Sequence, residues 1–354
     1  GQDVLRVTSD AELIELDATP GASEVRLGTT GSSGAQGTLN LDNLAGEVLF
    51  VTGGAGDNTI DLSLWTSNSA GTIDGLGGAD TLVGPAAAQI TWDVTGATAG
   101  AVENFAYSNV ENLQGTAGSN DRFIFDPAVT VAGRISGGLG GNDQINYSSF
   151  GASVNVILTG ANGTGTEASS IANGFVGIED FIGTGAGDSF TGRDVDSTWT
   201  ISAASSTYSD GGAITFRDFA SINGGAADDD FSIQSDVTLD ISTGDGANSV
   251  IVSNDRTLSG GISGGADADV IILNSGAAVT GSITTDAGND RLQLGDGADV
   301  SGSFDAGAGD DTLSFLNYQT ARDIAITVVN ATDGFDGTEV AITGGFTSVN
   351  SLIG

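Results

Sequence analysis

VTLDISTGDGANSVIVSNDRTLSGGISGGADADVIILNSGAAVTGSITTDAGNDRLQLGDGADVSGSFDAGAGDDTLSF, residues 237–315, repeats itself at a constant short step. Four apolar columns can be read from it. Val237, Leu258, Val279 and Val300 form the first, and Ile241, Ile262, Ile283 and Phe304 the second. Val250, Ile271, Leu292 and Leu313 form the third, and Val252, Leu273, Leu294 and Phe315 the fourth. Within one repeat the apolar residues lie two or four apart, which suits short strands with a single inward face. Between the second and third columns sits a polar turn: STGDGANS, SGGADAD, TTDAGNDR or DAGAGDDT.

No repeat holds an uninterrupted stretch long enough for an ordinary helix. A constant period of about 20 residues with one strand–turn–strand set each is the pattern of a solenoid, in which every lap packs only on its neighbours. The fold expected is all-β, a right-handed parallel β-helix (β-solenoid) with laps of about 21 residues and some longer, loop-bearing laps. Handedness follows the common case. About fifteen laps at about 4.8 Å each would make a rod about 70 Å long.

Working outward, the whole chain reads as one solenoid. Residues 1–50 carry short alternating strands without a clear Gly–Asp turn, as early laps with eroded turns. Residues 51–236 mix tight laps with longer excursions, 237–315 are the regular laps, and 316–354 begin another long module. That module spans residues 135–192 and recurs from 304 to the end, with 73–125 as a third, degenerate copy. Each copy has a Gly–Asp turn, a strand bearing Tyr or Phe, a polar strand with alternating Val or Ile, a Gly/Thr loop and a closing apolar–acidic–apolar step. The chain has no Met, and both ends read as cut from a longer solenoid.

Composition narrows the function classes. There are 57 Gly and only 3 Pro, with no G-X-Y period, which excludes collagen. Nine bases, all Arg, face 46 acids, for a net charge of −37. Such a surface repels a phosphate backbone and an anionic membrane, and it attracts cations. No apolar run reaches the length of a membrane span. Without Cys there are no disulfides and no thiolate metal site. With no His and no Lys, acid–base catalysis would fall to Asp, Glu, Tyr and Arg. Asp228–Asp230 and Glu179/Asp180 are paired carboxylates, but nothing singles out a catalytic pair, and no catalysis is expected. Asp74, Arg122, Arg193 and Arg217 are candidates for a sugar-binding groove. Trp65, Trp92 and Trp199 are able to face either the core or a ligand. Asn162 and Asn330 head N-x-[ST] triplets, a weak glycosylation signal.

The turns GGAGDNTID, GLGGADTLV, GLGGNDQIN, GTGAGDSFT, DAGNDRLQL and GAGDDTLSF resemble the GGxGxDxUx nonapeptide of haemolysin-type (RTX) calcium-binding repeats. The longer module, with IEDFIGT or VENLQGT before its turn, is similar to modules of giant Gly/Asp-rich bacterial surface proteins and adhesins. The resemblance covers most of residues 50–354. Its departures are a single such turn per lap, Asn58 in place of Asp, Leu76 in place of Gly, and rearranged turns at SGGADAD and ADDDF.

Stacking aligns Asn248, Asp269, Asp290 and Asp311, each two residues before an inward apolar residue. Carboxylates about 4.8 Å apart repel one another, and oxygen donors in a flexible Gly-rich turn suit Ca²⁺. The candidate ligands are Asp57, Asn58, Asp80, Asp143, Asp188, Asp269, Asp290, Asp310 and Asp311, lining an outward ridge. Plain turn chemistry, in which Asp and Asn bond backbone amides, is the stronger reading of the same residues. The function expected is a structural, exported rod of a bacterial surface or matrix protein stabilised by calcium. Divalent cations, cell-surface polysaccharide and end-to-end copies of itself are the expected partners. A carbohydrate-binding or polysaccharide-processing β-helix is the alternative.

Overall fold

A computed structural model describes residues 51–354, apart from 55, 64–69, 168, 186 and 330–332. It also gives the backbone of five N-terminal strands: Asp3–Val7, Leu13–Leu16, Ser23–Leu27, Gly37–Leu41 and Leu49–Thr52. Trp65 and the glycosylation-type Asn330 fall outside the described residues.

The fold is all-β, and no helix occurs among the described residues. The strands fall into two sheets, and within each sheet the long-range pairing is overwhelmingly parallel. In the regular region one sheet stacks Asp240–Gly244, Ile262–Ser263, Ile283–Thr284, Phe304–Asp305 and Ile342–Val349. The other stacks Ser249–Val252, Val270–Leu273, Arg291–Gly295, Thr312–Asn317 and Ser351–Ile353.

The apolar columns are ladders of directly paired residues. Ile241 pairs with Ile262, Ile262 with Ile283 and Ile283 with Phe304; Phe304 then meets Phe346. Val250, Ile271, Leu292 and Leu313 pair in the same way, as do Val237, Leu258, Val279 and Val300. All these residues except Val237 are buried, so each contributes about 1.5–3 kcal/mol of transfer free energy. The fourth column breaks at its last step. A register shift follows Gln293↔Ser314, so Phe315 is buried without lying opposite Leu294. An extra residue in that strand re-aims the side chain.

The chain forms two compact units, 1–154 with 162–184, and 155–161 with 185–354. The step between paired positions is not constant along the chain: Asp230 meets Ser249, whereas Gln144 meets Asp180. The longer steps contain antiparallel excursions. One is the meander Gln89–Gly96, Ala99–Val102 and Phe105–Ser108, and another the hairpin Thr164–Glu167 with Ile171–Val176. A third, Ala325–Val329, Phe335–Glu339 and Ile342–Val349, lies near the end of the second unit. A fourth, Ser197–Ile201, Ser206–Ser209 and Ala213–Arg217, gave no signal as a module in the sequence.

A carboxyl ladder in the Gly–Asp turns

Each Gly–Asp turn delivers one polar side chain two residues before an inward apolar residue. The spacing alternates faces along a strand, so the polar residue also points inward, at the strand's entrance. Asn58, Asp80, Asp143, Asp188, Asp269, Asp290 and Asp311 are all buried. The expected outward ridge is therefore turned in. Of the nine candidates, only Asp57 and Asp310 are exposed.

Once inside, these side chains join one lap to the next. The amide of Asn58 donates to Asp80 Oδ1 at 2.6 Å, and the amide of Asp80 to Glu111 at 2.7 Å. In the other sheet of the same unit, the Asp121 amide donates to Asp143 Oδ1 at 2.7 Å and the Asp143 amide to Glu179 at 2.9 Å. The second unit carries the longest relay. Asp229 donates to Asn248, Asn248 to Asp269, Asp269 to Asp290, Asp290 to Asp311 and Asp311 to Asn350, at 2.7–3.1 Å. The acceptors outside Gly–Asp turns, Glu111, Glu179 and Asn350, stand in the VENL, IEDF and VNSL steps. These steps close each long module, which explains their acidic or amide residue.

Neighbouring turn residues return the bond. Asp57 Oδ1 accepts the Ala79 amide at 2.7 Å, Asn120 accepts Asn142 at 2.8 Å and Asp228 accepts Ala247 at 2.7 Å. Asn289 accepts the Asp310 amide at 2.9 Å. At each of these four steps two adjacent residues bond in opposite directions between laps. Every such bond satisfies a backbone N–H at a place where the strand ladder begins, which matters because an unpaired buried amide costs about 1–3 kcal/mol.

The glycines make room for this. A Cβ on Gly75 would come within 2.5 Å of Asp80 Oδ2, and one on Gly137 within 2.5 Å of Asp143 Oδ2. Leu76 is different. It has φ of 66°, in the left-handed region, with its side chain half exposed and its amide bonded to Asp74 Oδ1. Leu76→Gly should therefore stabilise the first unit by about 1 kcal/mol, measurable by chemical denaturation.

The inner carboxyl oxygens are the chemically unsettled part of the ladder. Asn248 Nδ2 donates to the turn carbonyls of Gly244, Asp245 and Gly246 at 2.9–3.2 Å. A carboxylate in that place has nothing to donate. Asp269 Oδ2 instead accepts the Gly265 amide, and Asp188 Oδ2 the Gly185 amide, each at 3.1 Å. Oδ2 of Asp80, Asp229, Asp290 and Asp311 has no hydrogen-bond partner. Burial raises these groups' affinity for protons. It lifts Asp80, Asp121, Asp229, Asp269 and Asp290 to about 6, although amide bonds pull back at every one. Asp143 rises to about 7, chiefly by desolvation, with Asp121 and Glu179 adding to it. Asp311 and Glu179 are raised for the same first cause.

Among the described residues, no three acidic side chains gather around a point able to hold a metal ion. What the turns offer a cation is different: one buried Oδ2 facing a Gly-rich backbone. Asp80, Asp290 and Asp311 have that atom free of hydrogen bonds, whereas Asp188 and Asp269 have spent it. Asp143 Oδ1 accepts the Asp121 amide, and Asn58 Oδ1 accepts the Gly54 amide at 2.5 Å.

Several of the aromatic and charged residues considered for sugar binding are engaged within their own unit. Trp92 is buried, stacked on Phe123 at 5.3 Å, with its Nε1 donating to Asp121 at 2.9 Å. Trp199 is buried against Phe231 at 5.3 Å. Both belong to the core. Asp74 accepts from Asn109 at 2.8 Å, and Arg193 pairs with Asp210 at 2.7 Å. Asp74 and Arg122 belong to the first unit, Arg193 and Arg217 to the second. Asp228 and Asp230 point outward on either side of buried Asp229.

The sequence reading missed Asp121 and Asp229 as members of the ladder. The signal was available: each precedes an inward Phe, Phe123 or Phe231, by two residues, as every other member precedes its own apolar residue. Comparison with known proteins finds no matching family model and no similar curated protein.

Proposed function

We propose that this chain is a structural, non-catalytic part of an exported bacterial surface or matrix protein. Its strands follow a right-handed parallel β-helix with laps of about 21 residues, and calcium stiffens its Gly–Asp turns. The observation that carries the reading is the use made of the conspicuous residues. Nine side chains, six of them in Gly–Asp turns, accept an amide from the preceding lap, and the large aromatics fill the core. Residues that would make a catalytic site are thus engaged in holding laps together.

Calcium would be held by Asp80, Asp290 and Asp311 through Oδ2 and the turn carbonyls, a set of hard oxygen donors. When bound, it supplies the positive charge that the buried carboxylates lack. Asp57 and Asp310 add charge at the turn surface.

A second reading, carbohydrate binding, rests on a shallow groove of about 640 Å³ in the second unit. Ser221, Asn223, Ser242, Ser263 and Thr284 line it, with hydroxyl and amide groups at successive laps. Small polar groups repeated at lap spacing suit a linear polysaccharide.

Thermal melts in calcium and in excess chelator test the structural reading. Chelation is expected to lower the melting temperature by several degrees, and identical melts would remove the calcium part. Incubation with neutral and acidic polysaccharides tests the rest. Release of new chain ends, abolished by a carboxylate substitution in the same protein, would overturn the non-catalytic reading.

A further inference from the structure

Side chains alternate along a strand, so each buried residue of a lap is followed by one that faces out. In the second unit the buried Phe190, Ile222, Ile241, Ile262 and Ile283 are followed by Thr191, Asn223, Ser242, Ser263 and Thr284. The outward residues stand directly over one another. Thr191 pairs with Asn223, Asn223 with Ser242, Ser242 with Ser263 and Ser263 with Thr284. Ile157, opposite Thr191, ends the column with an exposed apolar side chain, and Asp305, opposite Thr284, ends it with a charge. Between them runs an uncharged polar column with one group per lap, about 19 Å long at about 4.8 Å per lap.

The outward column two residues earlier is spent on the protein itself. Ser189 Oγ donates to Asn155 Oδ1 at 2.5 Å, Ser221 Oγ donates to the Asp188 carbonyl at 3.2 Å, and Asp240 Oδ1 accepts the Gly261 amide at 2.8 Å. By contrast, the side chains of Thr191, Asn223, Ser242 and Thr284 bond to no other described residue. Ser263 makes only a long bond, 3.4 Å, to the Gly264 carbonyl. Both columns line the groove of about 640 Å³, where Gly261 and Gly281 add no side chain. Of the lining residues only Asp240 is charged, on a chain of net charge −37, and none is aromatic.

Free hydroxyls and an amide both donate and accept, so they match another hydroxyl-rich surface. The groove has no cation to hold a carboxylate or sulfate, and the acids around it repel one. Without a ring to stack on, a single sugar meets one or two hydroxyls and is held weakly. A long chain meets every lap, and each further contact forms within the same complex. An extended glycan of equatorially linked rings also advances by close to one strand spacing per ring.

We infer, building on the carbohydrate-binding reading of this groove, that its ligand is an uncharged, extended polysaccharide lying across the laps from Thr191 to Thr284. Affinity electrophoresis and calorimetry of the full chain, in chelator to remove calcium bridges, compare hydroxyethyl cellulose with polygalacturonate. Retention by the uncharged polymer alone is expected. Cellohexaose should bind at least about tenfold more tightly than cellobiose. Asn223→Ala combined with Ser242→Ala should weaken binding by about tenfold, with circular dichroism and melting unchanged. Ser242→Glu, which fills the groove from an outward position, should weaken it as well. Failure to bind either polymer, or binding that survives both groove variants, would remove the carbohydrate reading of the groove together with its uncharged ligand. Retention by polygalacturonate, or equal affinity for cellobiose and cellohexaose, would overturn the uncharged, extended ligand and leave that reading standing.

Discussion

Acidification from pH 7.5 to pH 5, in chelator and high salt, is expected to raise the melting temperature by roughly 10 °C. The sign follows from the buried carboxyls. In the folded chain Asp80, Asp121, Asp229, Asp269 and Asp290 hold their protons up to about pH 6, and Asp143 up to about pH 7. In the unfolded chain an aspartate releases its proton near about 3.9. Between those values the folded state binds more protons, so stability falls as pH rises. The contribution is complete below about pH 4 and is lost as pH climbs through about 6–7. Each kcal/mol moves the melting temperature of a unit this size by roughly 2–4 °C, and several carboxyls act in each unit. High salt suppresses the general repulsion among the 46 acids, which has the same sign but is screened. Scanning calorimetry across the range checks this. A melting temperature that is flat or rises toward pH 7.5 would mean that the carboxyls are solvated.

Asp290→Asn is expected to stabilise the second unit at pH 7.5 in chelator by about 1–2 kcal/mol. That figure follows from a rise from 3.8 to about 6, at about 1.4 kcal/mol per tenfold in proton affinity, discounted for relaxation. The amide keeps the Oδ1 that accepts the Asp269 N–H, and it loses the charge. Its Nδ2 replaces an oxygen that has no partner, and Asn248 already demonstrates the bonds an amide makes in an equivalent turn. Asp290→Ala also removes the charge but orphans the Asp269 amide, so it should fall about 1–3 kcal/mol below the Asn variant. Urea denaturation of the three proteins gives both differences. In calcium the advantage of the Asn variant should shrink or reverse, because the wild-type carboxylate then has a counter-ion. An Asn variant no more stable than the Ala variant would show that the Asp269 amide does not depend on this side chain.

Much of the fold was legible because identical positions recur at a constant interval, and aliphatic side chains such as Ile241, Ile262 and Ile283 sit where that spacing puts them. The column of turn acids was legible for the same reason. Its direction was not. An Asp in a Gly-rich turn points in or out according to whether the backbone leaves space, and here the space comes from residues such as Gly75 and Gly137, five or six positions earlier. Trp199 and Tyr208, whose rings meet edge-on at 4.8 Å, belong to an antiparallel excursion with no Gly–Asp turn of its own. Nothing periodic marked it. The register shift after Gln293 was equally silent, since Phe315 keeps the regular step in the sequence while its strand slips against the one beneath it.

Turn carboxyls lie inside the stack and take amides from the preceding lap. Carboxyl-carbon NMR of the aspartates, titrated in chelator, tests this most directly. A distinct set, including Asp143, Asp269 and Asp290, is predicted to titrate at about 6–7, well above the bulk of the acids. If all the aspartates titrate together near the unperturbed value of about 3.9, the carboxyls face water and the account fails.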